Sequence, residues 1–202
     1  MFIALEGGEG AGKSSVQRTL GERLTAAGRD AVLTREPGGT PLGEQIRSLV
    51  LAQTSLDDPL AELLLFEAAR AHLVATVIRP ALGRGAVVVC DRFAASSVAY
   101  QGYGRGLEPA FVARATAIAT GGLEPDLTLL LDLPVEAGLA RRAGAGDANH
   151  FDRAEIAFHQ RVRDGFRAQA ATDPARWRVI DASAPLDDVI AACWRDVEAA
   201  LP

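Results

Sequence analysis

Near the start of the chain, Gly7-Gly8-Glu9-Gly10-Ala11-Gly12-Lys13-Ser14-Ser15 brings together glycines, an ammonium and two hydroxyls. The spacing Gly7-x-x-x-x-Gly12-Lys13-Ser14 is that of a loop whose backbone N–H groups wrap the phosphates of a nucleotide. In such a loop glycine is required because a side chain would block the backbone's approach to phosphate. Lys13 would then reach the outer phosphates, and the Ser14 hydroxyl would bind Mg²⁺. A plain glycine-rich turn would leave Lys13 unexplained. The motif carries weight only between a strand and a helix, and both are expected here. Phe2-Ile3-Ala4-Leu5 precedes it, and Val16, Leu20 and Leu24 follow at helical spacing.

Other residues could serve a second substrate. Asp91 and Arg92 directly follow Val87-Val88-Val89-Cys90. A carboxylate at a strand end could hold Mg²⁺, directly or through water, and a guanidinium beside it could clamp a phosphate. Phe66 and Arg70 stand four apart on one helical face, as a ring to stack on a base and a donor for its edge would. On spacing alone, a core phenylalanine and a surface arginine explain the pair more economically. The polar, glycine-rich stretch from Ala143 to Asn149 is flanked by Arg141, Arg142 and Arg153. Beside a phosphate loop it reads as a short basic lid over residues 141–153 that closes on a nucleotide.

The elements needed to position these groups are legible as well. Short apolar runs at Phe2–Leu5, Ala31–Leu33, Ala86–Cys90, Leu127–Leu131 and Arg178–Ile180 alternate with helix-like segments, one of them an unbroken helix from Leu60 to Leu82. This pattern predicts an α/β fold of three layers, a five-stranded parallel sheet with helices on both faces, in one domain spanning residues 1–202. In such a sheet the ligand crevice lies at the carboxyl ends of the strands. The 202 residues, 49% of them hydrophobic, suffice for a full core. A net charge of −5 argues against non-specific nucleic-acid binding. With no run long enough to span a bilayer and no basic leader, no membrane association is expected and the protein reads as cytoplasmic. Cys90 and Cys193 lie far apart and are assigned neither a disulfide nor a metal.

Taken together, Glu6 to Ser15, Thr34-Arg35-Glu36-Pro37-Gly38-Gly39-Thr40, Leu65-Phe66-Glu67-Ala68-Ala69-Arg70, Asp91-Arg92-Phe93, Ser96-Ser97-Val98-Ala99-Tyr100-Gln101-Gly102 and Pro125-Asp126-Leu127-Thr128 closely resemble bacterial thymidylate kinases, in the same order and over nearly the whole chain. The resemblance implies a P-loop kinase that moves the γ-phosphoryl group of ATP to thymidine monophosphate (dTMP) with Mg²⁺, and that works as a homodimer. It implies that Gly7 to Ser15 hold the ATP phosphates, with Ser14 and Asp91 toward the metal. Phe66 would stack on thymine, with Arg70, Gln101 and Ser97 at its polar edge. Arg35, Arg47 and Arg92 would surround the acceptor phosphate, Glu9 would reach the 3′-hydroxyl, and Tyr100 would crowd the 2′ side. Lys13, Asp91, Arg92, Arg142 and Arg153 would be catalytic.

One branch of the family carries an arginine within the phosphate loop where this chain has Gly10, which would leave lid arginines to compensate. Phe93 replaces a common tyrosine, and Ala95 stands where some members are acidic. By the same resemblance, adenine would sit near Asp181-Ala182-Ser183-Ala184-Pro185. Two other readings share the loop: a kinase of another nucleoside monophosphate or a deoxynucleoside, and a nucleotide switch that transfers nothing.

Overall fold

The computed structural model describes residues 1–51, 58–143, 151 and 155–201. The strands are β1 (Phe2–Glu6), β2 (Ala31–Arg35), β3 (Val87–Asp91), β4 (Leu127–Asp132) and β5 (Trp177–Asp181). They form one parallel sheet in the order β2-β3-β1-β4-β5. From β1 at the centre the chain first builds β2 and β3 to one side, then β4 and β5 to the other. The sense of winding therefore reverses at β1, and the end of β1 faces the crevice that such a reversal opens.

Alternation along β1 assigns the faces. Ile3 and Leu5 pack against Val16, Leu20 and Leu24 of α1 (Lys13–Ala26) and against Val189, Ile190, Cys193 and Val197 of the C-terminal helix, Leu186–Ala200. Phe2 and Ala4 point the other way, onto Leu73, Val74, Ile78 and Phe93. The Phe93 ring is completely buried edge-on to Phe2, with centroids 4.8 Å apart. Cys90 and Cys193 are buried on opposite faces of the sheet.

Between β2 and β3 come α2 (Pro41–Val50), α3 (Pro59–Leu73) and α4 (Arg79–Gly83). Thr40 caps α2 by accepting from Gly43 N–H at 2.9 Å, and Asp58 caps α3 by accepting from Leu60 N–H at 2.8 Å, each followed by a proline at the first helical position. The helix expected to run unbroken from Leu60 to Leu82 is contiguous along the chain but contains a π-helical segment, Val74–Ile78, between α3 and α4. A second π-helical segment, Val98–Gly104, follows the short α5 (Ala94–Ser97) and carries Tyr100 and Gln101. Such segments inside helices occur frequently at functional sites. The remaining helices are α6 (Pro109–Thr120), α7 (Val135–Ala143), α8 (Ile156–Thr172) and α9, the C-terminal helix already described. Among the described residues, no helix is long and apolar enough to cross a membrane.

Candidate active site

The turn from β1 into α1 is the loop that the glycine spacing predicted. Gly7, Gly10 and Gly12 have φ of 140°, 67° and 89°, values that side chains resist. Space forbids a side chain as firmly. A Cβ on Gly7 would overlap the Leu131 carbonyl, and one on Gly10 would overlap the carbonyl of Gly138 in α7. No arginine fits at position 10, where the phosphate loop and α7 meet backbone to backbone. Lys13 curls over the loop, donating to the carbonyls of Gly7 at 3.0 Å and Gly8 at 2.8 Å. Burial, reinforced by the charge of Arg92, brings its ammonium down to about 8. With no acidic residue in its first turn, α1 presents an uncompensated positive end to the same space. Ser14 Oγ donates to Asp91 Oδ2 at 2.8 Å, so the two oxygens expected near a metal are adjacent.

Beside the loop lies a cavity of about 110 Å³ whose walls include Glu9, Arg47, Phe66, Arg70, Arg92, Ser97, Tyr100 and Gln101. Eight residues proposed from scattered motifs thus converge on one space. Arg92 connects it to the phosphate loop. Its backbone is left-handed (φ 67°), and its guanidinium donates to Glu9 Oε1 at 2.8 Å, to the Tyr100 hydroxyl at 3.0 Å and to the Gly7 carbonyl at 3.0 Å. Tyr100 in turn donates to Glu9 Oε1 at 2.7 Å. Burial alone would raise the Glu9 carboxyl, but Arg92, Lys13 and this hydroxyl outweigh it and bring it to about 2. A non-glycine residue held in the left-handed region costs of order 1–3 kcal/mol and marks a position that its surroundings over-determine.

Phe66 is half-buried, with its ring centroid 6.5 Å from that of Phe151. Arg70 is 2% exposed and fully engaged at one end. Its Nε donates to Glu36 at 2.7 Å, its Nη1 to Glu67 at 2.5 Å and to Ser97 Oγ at 3.0 Å, and its Nη2 to the Phe93 carbonyl at 3.2 Å. It is therefore no surface arginine, as spacing alone would have it. Burial pushes the Glu36 carboxyl up to about 7 against the attraction of Arg70. Arg47 donates to the Pro37 carbonyl at 3.0 Å.

Arg35 is not brought into this wall. It is exposed and paired with Glu44 at 3.1 Å. Of the lid residues, Arg142 lies in the last turn of α7 outside the cavity wall, and Arg153 lies outside the described residues. Arg141, read as a flank of the lid without a catalytic role, donates to the Ala182 carbonyl at 2.9 Å. It lines a second cavity, of about 490 Å³, with Gly10 to Gly12, Ser15 and Ala182 to Leu186. Glu36, Glu62, Glu67 and Phe151 were missed too. Glu67 stands three residues before Arg70, an ion-pair spacing on a helix that was available as a signal. Glu36 and Phe151 reach the cavity only through the tertiary fold.

Residues 5–192 match the model of the family described as thymidylate kinase. The thymidylate kinase of Thermomicrobium roseum is 53% identical over 197 residues, which cover 97% of this chain and 93% of that protein. That of Desulfovibrio desulfuricans is 51% identical and covers 100% of this chain and 96% of its own. The crystal structure of thymidylate kinase from Ehrlichia chaffeensis superposes with a TM-score of 0.80 at 33% identity, over 98% of both chains.

Proposed function

The chain belongs to the thymidylate kinase family, and we propose that it transfers the γ-phosphoryl group of ATP to the 5′-phosphate of dTMP, giving thymidine diphosphate and ADP. The observation that carries this reading is the Glu9–Arg92–Tyr100 cluster, which joins the phosphate loop directly to a cavity walled by an aromatic ring and donor-rich side chains. A donor's terminal phosphate and an acceptor's phosphate would meet at Arg92.

In this reading Gly7 to Ser15 cradle the ATP phosphates, and adenine occupies the cavity bounded by Arg141 and the loop after β5. Phe66 stacks on thymine. Arg70, Ser97 and Gln101 meet its edge, and Arg47 and Arg92 hold the acceptor phosphate. Tyr100, fixed by two hydrogen bonds, crowds the 2′ position. Because two polyanions must be brought end to end, positioning and charge neutralisation supply most of the catalysis. Lys13 must leave the Gly7 and Gly8 carbonyls for phosphate oxygens, and Arg92 keeps its positive charge throughout. Ser14 and Asp91 fit Mg²⁺, since a hydroxyl and a carboxylate 2.8 Å apart are the hard oxygen ligands that this ion takes alongside water and phosphate. When bound, the ion would neutralise charge on the phosphates. Arg142 and Arg153 on the lid supply further positive charge. The protein works as a cytoplasmic homodimer of single kinase domains, and exposed Leu60 and Leu64 on α3 offer an apolar contact face.

The test is ADP release from Mg-ATP with a panel of nucleoside monophosphates, for the wild-type protein and for Phe66→Ala. Turnover should require an acceptor, favour dTMP and fall in the variant mainly through a higher KM. ATP hydrolysis at one rate with and without acceptors would replace the kinase by a switch. A preference for a purine monophosphate would replace the acceptor.

A further inference from the structure

The amide of Gln101 can face its surroundings in only one way. Its Nε2 donates to Oε1 of Glu62 at 2.8 Å. Glu62 lies in the first turn of α3, is completely buried, and accepts through Oε2 from Nη2 of Arg105 at 3.0 Å. Both carboxyl oxygens of Glu62 thus act as acceptors, and the NH₂ end of the Gln101 amide is the one that points toward it. The carbonyl end is therefore the one left for the cavity that Gln101 lines. Arg70, on the same cavity, has N–H groups alone. Four of its five are engaged by Glu36, Glu67, Ser97 and the Phe93 carbonyl, which leaves one on Nη2. Arg70 and Gln101 thus have one donor and one acceptor left for the cavity that both line.

This pattern complements the O4 carbonyl and N3–H of thymine or uracil. Cytosine presents the reverse, an amino group and a bare N3. We infer that Glu62 is a specificity-determining positioning residue, which fixes the orientation of the Gln101 amide and thereby selects a base with a proton on N3. The inference rests on the proposed pyrimidine acceptor. A site whose buried groups are left unpaired by the wrong base discriminates far more strongly than one that merely loses contact area.

The decisive variant is Glu62→Gln. Arg105 would retain the carbonyl end of the new amide, leaving its NH₂ opposite Gln101. The Gln101 amide then has to turn over and show its own NH₂ to the cavity. The ratio of kcat/KM for dTMP to that for deoxycytidine monophosphate should fall by about 10-fold or more, through KM more than kcat. Arg105→Lys keeps a cation beside Glu62 and so the carboxylate acceptor, and its ratio should stay within about threefold of the wild type. A structural role alone would lower both acceptors together and leave the ratio intact. An unchanged ratio in folded Glu62→Gln, or an equal collapse in Arg105→Lys, overturns the inference. Should Glu62→Gln fail to fold, NMR on the wild-type protein decides. With dTMP labelled with ¹⁵N at N3, the imino nitrogen should couple through its hydrogen bond to the side-chain carbonyl of Gln101. A Gln101 NH₂ facing the base overturns the assignment. Wild-type protein with no dTMP-dependent turnover would refute the kinase reading itself, whereas an unchanged ratio in an active enzyme refutes only the role of Glu62.

Discussion

Replacing Arg70 with methionine separates the two tasks of that residue, because stability can be measured without substrate. Arg70 is 2% exposed between Glu36 at 5% and Glu67 at 6%, and one oxygen of each carboxylate, Glu36 Oε1 and Glu67 Oε2, already lacks a hydrogen-bond partner among the described residues. Methionine fills much of the volume but leaves two buried carboxylates uncompensated. Removing one side of a buried ion pair costs about 3–5 kcal/mol. For a protein of this length each kcal/mol lowers Tm by about 2–4 °C, so a fall of about 6–20 °C is expected. The loss should depend on pH, with a sign set by Glu36. Its carboxyl stands at about 7 in the folded protein against 4.5 ordinarily, because burial outweighs Arg70. The folded state therefore binds the extra proton, and stability is greatest below the ordinary value and is lost as pH rises through about 7. Without the guanidinium that carboxyl moves higher still and the loss continues upward, adding about 1.4 kcal/mol at roughly pH 8 for one further unit. Urea unfolding at about pH 6 and about pH 8 measures both quantities. A loss below about 1 kcal/mol, or one equal at the two pH values, would refute the reasoning.

Three further outcomes follow from the phosphate loop and its neighbours. Lys13 stands at about 8 in the free protein, and phosphates must draw it upward, so ATP binding above that pH should take up a proton. Calorimetry in buffers of different ionisation enthalpy measures the uptake, and a value of zero would show that Lys13 does not reach phosphate. Gly10→Ala drives a methyl group into the Gly138 carbonyl at φ 67°, and nucleotide affinity should drop at least about tenfold by fluorescence titration. Undiminished affinity would mean that α7 yields freely. Tyr100→Phe removes the hydroxyl that binds both Arg92 and Glu9, and kcat/KM for dTMP should fall by about 10- to 100-fold, the worth of hydrogen bonds to charged groups. A change below about twofold would show that the Arg92–Glu9 pair holds its geometry unaided.

Local rules determined a large part of this protein. The short apolar runs specified the parallel strands, most firmly β1, β3 and β4, since a strand buried on both faces can be little else than a short run of β-formers. The glycines at 7, 10 and 12 announced a loop that no side chain could line, and the positive φ values and overlaps at these positions are the reason. Helix starts at Thr40 and Asp58 were written in cap and proline chemistry. The convergence of Phe66, Arg70, Arg92 and Gln101 was read from resemblance, because nothing in their spacing fixes a shared cavity.

What tertiary structure alone decided is which partner each charge meets. Arg35 and Arg47 are equivalent in the sequence, yet one pairs with Glu44 in solvent and the other lines the cavity. Arg70 matches a surface residue by its period and is buried because Glu36, from the end of β2, closes over it. Glu62 carries no motif, and its hold on Gln101 spans 39 residues of sequence. Local propensity acts over a few residues and can say nothing of such pairs. They arise only when the sheet order places β2, α3 and the π-helical segment around one crevice, where removal from water makes each unpaired charge too costly to leave unmatched.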